Sequence, residues 1–436
     1  MGAGIRTEPG DKPQAGLTAM AFFAPGPISM PPARWCVVAL GITIPLSVAL
    51  DNLLLAILLV LVLAGGSRAV LHIVMHNPVA RASALLFATL LLGVAYGDTS
   101  FKEAADTLGK YVDLAFVPLF MVAGRDAEIR RRTMLGFLGV MLVTALLSWL
   151  VGLRILPVSE WMWAGCKPDN PAIFRGSITQ NMLMAFSVYL LILQARAASA
   201  PKVRWLLAGL AVFAGSNVLF MVQGKTGYLV LLAVLAYFAW TTLARRLHTP
   251  GRSIGWSKGG GIGLLALALV LSAYQASPRL HERVDKMVME FQVWQPGMHS
   301  ETSTGARLEF YYNTFALVKQ HPLLGVGTGG FPAAYAQQVQ GKGVEPTRNP
   351  HNEYLLVTVQ VGVAGLALLL YLFYTQWRCA AKLPNLFEQD AARGLVLTIA
   401  ITALFNSPLL DHTEGLFFAF TSALLFANLN MDKRDG

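Results

Sequence analysis

A histidine stands where a long polar stretch of the chain meets an apolar run. His351 is flanked by Arg348, Asn349 and Asn352, and the apolar run starts at Leu355. An unperturbed imidazole titrates near neutral pH, so it can take a proton from a hydroxyl group under physiological conditions. Because a histidine at such a junction can meet a water-soluble and a lipid-borne substrate together, the cluster favours catalysis at a membrane face. The alternative is an interfacial histidine whose ring is satisfied by a backbone carbonyl.

Two basic residues lie where an anion could bind. Lys225 stands in Gln223–Gly227, where two glycines let backbone amides approach a ligand closely. Arg307 stands in the expected first turn of a helix that Thr304 and Gly305 would cap, and a helix N-terminus favours an anion. The alternatives are a tight turn whose lysine reaches the surface and a solvated arginine on an amphipathic helix.

The other polar motifs predict neither a metal site nor a nucleotide loop. The stretch His321–Phe331 is rich in glycine but lacks the strand-then-helix context of a phosphate-binding loop, and His321 is expected to cap a helix C-terminus. The acidic residues of Asp411–Glu414 form a short, isolated group. We therefore expect no metal and no cofactor, so that basic side chains would have to neutralise any phosphate.

The composition is that of a membrane protein. Hydrophobic residues make up 55% of the sequence and charged residues 13%, whereas charged residues make up about 25% of a soluble protein. Apolar runs long enough to cross or nearly cross a hydrocarbon core of ~30 Å recur along the chain. They predict about twelve transmembrane helices, at 35–50, 52–66, 82–97, 111–123, 133–153, 180–195, 205–221, 226–243, 260–275, 353–377, 394–408 and 414–430.

The basic residues predict the orientation of these spans. The connections on one side are rich in Arg and Lys, most of all 125–132 and 245–258, and such loops face the cytoplasm. The short connections on the other side hold fewer, namely Lys102, Lys110, Arg154, Lys167, Arg175 and Lys225. Both termini are therefore predicted to be cytoplasmic. The net charge of +10 follows largely from this orientation, so no nucleic-acid partner is needed to explain it.

The predicted organisation has four parts. Residues 1–33, rich in Gly, Pro and Ala, are expected to be a disordered cytoplasmic tail, and residues 34–275 hold the first nine transmembrane helices. Residues 276–352 form one large extracytoplasmic loop that carries the candidate catalytic residues. Residues 353–436 hold three further transmembrane helices and a short cytoplasmic tail. The three cysteines lie on different segments and indicate no disulfide framework.

The order of the motifs resembles the O-antigen ligase and polymerase superfamily of bacterial envelope glycosyltransferases. The resemblance rests on a combination that is more specific than any one of its pieces, and its clear part covers residues 215 to 375. The elements are Gly224-Lys225-Thr226-Gly227, Arg307, His321-Pro322-Leu323-Leu324-Gly325-Val326-Gly327, His351-Asn352-Glu353-Tyr354-Leu355 and Gly362-Val363-Ala364-Gly365-Leu366.

The resemblance implies an all-α polytopic membrane protein of the GT-C-like class, in the bacterial inner membrane, with its large, mainly helical loop in the periplasm. The donor would be an O-antigen glycan on undecaprenyl diphosphate, and the acceptor lipid A–core oligosaccharide. It implies no metal and no nucleotide; membrane lipids are the other expected partners.

The resemblance also implies roles for individual residues. His351 matches the family's loop histidine, and Arg307 its large-loop arginine. Lys225 stands where the family usually has arginine, so the charge is kept but the bidentate fork is lost. Arg154 is a further candidate cation for the diphosphate. The supporting candidates are Arg348, Asn352, Tyr312 and Asp411.

A mechanism follows from this assignment, and two other readings stay open. His351 would accept the proton of the acceptor hydroxyl, the cations would stabilise the departing diphosphate, and direct displacement would invert the anomeric centre. A polymerase or a protein O-oligosaccharyltransferase of the same superfamily is the first alternative. A lipid-linked glycan transporter is the second, although no span is expected to be broken around an ion site.

Overall fold

The chain folds into helices. The computed structural model describes residues 32–247, 278–295, 297 and 302–429, and within them the one β-type pairing is an isolated bridge between Lys167 and Asn170. The predicted span at 260–275 and residues 1–31 of the predicted tail lie outside the described residues. The all-α prediction is confirmed for the part of the chain that is described.

The first nine described helices precede the gap at 248–277, and a π-helical turn at Asn217–Met221 extends α8. They are α1 (Pro32–Thr43), α2 (Val48–His76), α3 (Pro78–Tyr96), α4 (Phe101–Lys110), α5 (Asp113–Ala123), α6 (Ala127–Gly152), α7 (Ser177–Ala197), α8 (Pro201–Ser216) and α9 (Lys225–Leu247). The helices described after the gap are α10 (Pro278–Val293), α11 (Ser303–Gln320), α12 (Phe331–Val339), α13 (Glu353–Ala380), α14 (Leu386–Phe405) and α15 (His412–Phe426).

Six of the described helices are long and apolar enough to cross a membrane, which makes this a multi-pass membrane protein. They are α3, α6, α7, α8 with its π turn, α9 and α13. The bent helix α2 would be a seventh, since its two halves meet at 95°. The count of twelve spans and the periplasmic position of the loop stay predictions.

One predicted span is broken near a proline, and another forms a helix that is too short to cross a bilayer. The predicted span 35–50 is broken, because Pro45 follows the end of α1 and Ser47 caps a new helix by accepting a hydrogen bond from the Leu50 amide. The predicted span 111–123 contains Pro118 and gives only the 11 residues of α5. At 1.5 Å per residue that helix is about 16 Å long, which is too short to cross a bilayer alone.

Helices α7 and α15 form the centre of the bundle. The apolar window of α7 is 89% buried, against 22% for α9, and almost every residue of α15 is buried. The two helices touch through the rings of Phe186 and Phe417, whose centroids lie 5.5 Å apart. Because both are enclosed by other helices, their N-terminal ends are held in fixed positions.

One long helix is broken in the middle, and the glycine-rich stretch before α12 fills the break. Within α13 the backbone leaves the helical region at Val361 and Gly362. The carbonyl groups of Val359 and Gln360 accept hydrogen bonds of 2.8 and 2.9 Å from the amides of Val326 and Gly327. The break itself was not predicted from the sequence. The freed carbonyls are already satisfied by the loop, so the break does not form an open ion site.

This pairing leaves no room for a side chain at Gly362. Its φ is +70°, and a Cβ atom there would lie 1.8 Å from the carbonyl oxygen of Leu323. Gly362→Ala should lower the thermal unfolding midpoint of the detergent-solubilised protein, since the backbone conformation alone costs about 1–3 kcal/mol for a non-glycine residue. Gly139→Ala is the matched control, because that glycine lies inside α6 with no atom within 4 Å of its Cβ position. Equal unfolding midpoints for the two variants would contradict the prediction.

Candidate active site

The N-terminal ends of three helices surround a pocket. Its volume is about 470 Å³, within the usual range for ligand pockets. The first turn of α7, the residues before α13 and the N-cap of α15 contribute to its wall, and His351 lies in it. The opposite end of the bundle holds Asp390, which accepts hydrogen bonds from Arg196 and Arg245. The pocket and this arginine cluster therefore mark the two ends of the bundle.

The backbone of His351 is held in a conformation that is uncommon for a residue other than glycine. Its φ is +55°. The His351 amide donates to Asn349 Oδ1 at 2.8 Å, and Ser407 Oγ donates to the same oxygen at 2.8 Å. The Tyr311 hydroxyl lies 3.0 Å from the carbonyl oxygens of His351 and Leu404. The histidine is thus fixed from both sides, by α11 and by the segment after α14.

A chain of hydrogen bonds sets the protonation of the imidazole. Thr179 Oγ1 donates to Glu414 Oε1 at 2.9 Å, and Asn406 Nδ2 donates to Glu414 Oε2 at 3.1 Å. In this orientation of the side-chain amide, Asn406 Oδ1 faces His351 Nδ1 at a distance of 3.3 Å. Because an amide oxygen only accepts, this arrangement assigns the proton to Nδ1 and leaves Nε2 with its lone pair. Such a ring can act as a base through Nε2.

The surroundings keep this imidazole neutral. Burial lowers the pKa of His351 from its ordinary value of 6.5, the hydrogen bond that His351 donates to Asn406 raises it, and the charge of Arg307 lowers it. The ring of Phe310 stacks on the histidine, with centroids 6.2 Å apart and planes at 26°. At neutral pH the ring is therefore in the form that accepts a proton.

Uncommitted positive charge lines the pocket. Lys110, at the end of α4, and Arg348 both lie in the wall, and neither makes a hydrogen bond or ion pair with the described residues. The first turn of α7 also faces the pocket, and its N-cap Gly176 supplies no side-chain hydrogen bond. Amide groups at a helix N-terminus and nearby cations together favour an anion. The chemistry of the pocket suits a phosphate group beside a base.

Arg307 lies near the histidine, but its place in the helix differs from the prediction. The cap of α11 is Thr302, whose side chain accepts from the Gly305 amide at 3.1 Å, so the helix starts at Ser303. Thr304 and Gly305 are therefore not the cap, and Arg307 lies beyond the first turn. Its charge still acts on His351, and its guanidinium has no partner among the described residues.

Lys225 is already engaged by the loop helices. Its Nζ donates to Thr304 Oγ1 at 2.9 Å and lies 3.6 Å from Glu290 Oε2, and Glu290 is buried. The lysine therefore ties the start of α9 to α10 and α11. It does not lie in the pocket wall, so its charge reaches a pocket ligand less directly than that of Lys110.

The other predicted site residues are divided between the pocket and the surface. Asp411 lies in the pocket wall and caps α15, because its Oδ1 accepts from the amides of Thr413 and Glu414. Asn352 caps α13 by accepting from Leu355. Arg154 is exposed in the turn after α6, with φ +61° and no place in the wall. Tyr312 is exposed and packs on Trp294, whereas its neighbour Tyr311 reaches the histidine.

Sequence reasoning missed the partners that come from distant parts of the chain. Lys110 was counted only as a loop charge, and Asn406 was placed inside a span that ends at Phe405. Glu414 was seen only as part of an acidic group. A polar residue at the very end of an apolar run is the signal that could have identified Asn406 and Glu414.

One of two comparisons with known proteins agrees with the resemblance, and the other gives a relative without an assigned function. Residues 209–370 match the family model described as O-antigen ligase, a range that includes Lys225, Arg307 and His351. An uncharacterized protein of Haemophilus influenzae is 25% identical over 177 residues, which is 38% of this chain and 44% of that protein. The match thus spans less than half of the relative's length. The predicted resemblance to the O-antigen ligase superfamily is confirmed over residues 209–370.

The protonation of His351 can be measured without an assay of function. Only the neutral ring reacts with diethyl pyrocarbonate, so modification of His351 should have a pH midpoint below 6.5. Asn406→Ala removes the hydrogen bond that raises the pKa, and the midpoint should therefore move to still lower pH. Mass spectrometry of the modified peptides measures both values. Asn428→Ala, whose side chain meets Arg125 and not this site, is the control. An upward shift in Asn406→Ala would refute the hydrogen-bond assignment.

Proposed function

We propose, from the premise that residues 209–370 form a domain of the O-antigen ligase superfamily, that this protein is an O-antigen ligase. It would transfer an O-antigen glycan from undecaprenyl diphosphate to lipid A–core oligosaccharide, without a metal and with inversion at the anomeric carbon. The observation that carries the proposal is the neutral, oriented His351 beside uncommitted cations in one pocket of the matched domain.

His351 is the proposed general base. Its Nε2 lone pair is available because the hydrogen-bond chain from Glu414 through Asn406 holds the proton on Nδ1. The attacking hydroxyl of the acceptor sugar loses its proton as the new glycosidic bond forms, and the imidazole takes that proton. The bond from the anomeric carbon to the diphosphate oxygen breaks at the same time. Attack from the side opposite the leaving group inverts the anomeric centre.

Cations of the pocket and of α11 are the proposed stabilisers of the leaving diphosphate. Arg307 has no partner among the described residues, and Lys110 and Arg348 lie in the wall. Positive charge that is fixed in place before reaction stabilises the negative charge that develops on the leaving oxygen. Lys225 has a supporting part in this proposal, since its ion pair with Glu290 holds the loop helices against α9.

The proposed setting is the periplasmic face of a bacterial inner membrane. The positive-inside pattern of the connections supports cytoplasmic termini and a periplasmic loop at 276–352. The pocket lies at the bundle end away from Arg196 and Arg245, which agrees with that orientation. Twelve spans, including the one at 260–275, remain part of the proposal.

The function is tested with the purified protein in detergent. Given undecaprenyl-diphosphate O-antigen and lipid A–core oligosaccharide, it should form the ligated product with EDTA present and with no nucleotide. His351→Ala should lower the rate by at least about 100-fold, the usual contribution of a general base. His321→Ala is the matched control, because that residue is exposed and ends α11 through its backbone.

Each other outcome points to another mechanism. Product that forms only after a divalent ion is added would overturn the metal-free mechanism. Longer lipid-linked glycan without ligated lipid A would indicate a polymerase. Movement of glycan across vesicles without any product would indicate a transporter.

Arg307 and Lys225 should respond differently to substitution. Arg307→Ala should raise the donor Michaelis constant and lower kcat, and Arg307→Lys should recover part of the activity, because one charge remains without the bidentate fork. Lys225→Arg should be tolerated and Lys225→Gln should not. Thr304→Val is the control for Lys225, since it removes the hydrogen bond and keeps the charge. Steady-state kinetics with varied donor measures these effects, and full activity of Lys225→Gln would remove that lysine from the proposed function.

A further inference from the structure

The wall of the His351 pocket includes an aromatic ring that has no role in the reaction proposed above. Trp163 lies in the connection between α6 and α7 and lines the same pocket as His351. It is 40% exposed, and the indole lies among polar groups of the pocket wall. An indole in this position can serve either a ligand in the pocket or the membrane surface.

The indole ring of Trp163 packs against two glycines. A Cβ atom at Gly165 would lie 2.1 Å from the indole, so only glycine lets the ring rest there. A Cβ atom at Gly176 would lie 3.6 Å from the indole edge, in ordinary contact. The Trp163 amide donates to the carbonyl of Ile173, and the Cys166 amide donates back to the carbonyl of Trp163 at 2.8 Å. The backbone and one side of the ring are thus held, and the exposed part borders the pocket.

Most of the other residues in the pocket wall are polar, and Ile178 and Leu410 are apolar. Hydroxyl, amide, cationic and carboxylate side chains line it together with the indole, among them Ser177, Asn349, Ser407 and Asp411. A pyranose ring has an apolar face of C–H groups and a rim of hydroxyls. The face of an indole carries negative potential and attracts such C–H groups, while the rim requires hydrogen-bond partners. One aromatic surface within a mostly polar wall matches both requirements.

We infer that Trp163 is the stacking surface of a sugar-binding subsite that holds a pyranose ring beside His351. This inference rests on the proposed function, because it takes the pocket ligand to be a glycan. The sugar would come from the donor glycan or from the core oligosaccharide of the acceptor, and the two share this chemistry. Stacking would hold the ring against one wall, so that the reacting atoms meet the base in a fixed orientation.

The alternative role of an exposed tryptophan is a membrane anchor, and the same connection offers a control for it. Trp161 is 55% exposed, packs on Phe174 and does not line the pocket. Tryptophan at a membrane surface gives stability without selectivity for a sugar. A sugar-stacking role predicts that substitution of Trp163 alone changes the affinity for a substrate. A membrane-anchor role predicts equal effects of substitution at Trp161 and at Trp163.

The test measures glycan transfer by the full-length protein in detergent with donor and acceptor varied separately. Trp163→Ala should raise the Michaelis constant of one substrate by about tenfold, which corresponds to about 1.4 kcal/mol of binding free energy. Trp163→Phe should restore most of the affinity, because an aromatic face remains. Gly165→Ala should resemble Trp163→Ala, since the new Cβ displaces the ring. Trp161→Ala should leave both constants unchanged.

The pattern of results separates the possibilities. A rise for the acceptor alone places the core sugar on Trp163, and a rise for the donor alone places the donor glycan there. Unchanged Michaelis constants in Trp163→Ala, or a fall in kcat alone, would overturn the subsite. Equal effects of Trp161→Ala and Trp163→Ala would make both residues membrane anchors. A wild-type protein that forms no product would instead refute the proposed function, and the sugar assignment would fall with it.

Discussion

The break in α13 and the glycine-rich stretch that fills it are the constraint on which the site depends. A helix interrupted inside a membrane exposes carbonyl groups that must find donors, because the cost of an unsatisfied polar group in hydrocarbon is several kcal/mol. Here the amides of Val326 and Gly327 supply them. Beyond that contact, Thr328 donates through its side chain to the Leu90 carbonyl of α3, and a Cβ atom at Gly327 would lie 2.2 Å from Gly97. Residues 322–329 thereby lock the large loop to the bundle.

The same constraint explains why the first half of α13 is a firm support for His351. Gln360, beside the break, and Glu353, at the helix start, both reach the hydroxyl of Tyr111, which lies just before α5. The Glu353 carboxylate also accepts a hydrogen bond from the Leu409 amide, and the Glu353 amide donates to the backbone carbonyl of Asn406. The short stretch 353–360 is thus tied to α5 and to the segment between α14 and α15. The positive φ of His351 can persist only because such surroundings fix the chain on either side of it.

Features that depend on one continuous run of residues could be predicted from the sequence, whereas contacts between distant parts of the chain could not. Apolar runs located α6, α7, α9 and α13 to within a few residues at most ends, since hydrophobicity along a helix is a local property. The turn at Pro45 was missed, because proline and capping interrupt a helix without changing its mean hydropathy. His351 stood out by its polar neighbours.

The contacts of the site residues needed the fold. Asn406 lies 55 positions after His351 and Lys110 lies far before it, so no spacing rule connects them. Lys225 shows the opposite difficulty. Its motif predicted an anion ligand, yet only the fold reveals that Glu290 already faces its charge.

The charges near the pocket act on the pKa of the proposed base as well as on the ligand. Arg307 lowers the pKa of His351 through its charge, so in the absence of an anion it helps to keep the imidazole neutral. A bound diphosphate would bring negative charge near both groups, which offsets the arginine and raises the pKa of the histidine again. A higher pKa makes the imidazole a stronger base, while its hydrogen bond to Asn406 keeps the ring in the same orientation. In the proposed reaction the donor would therefore strengthen the base that its own displacement requires, and an unoccupied pocket would hold a weaker one.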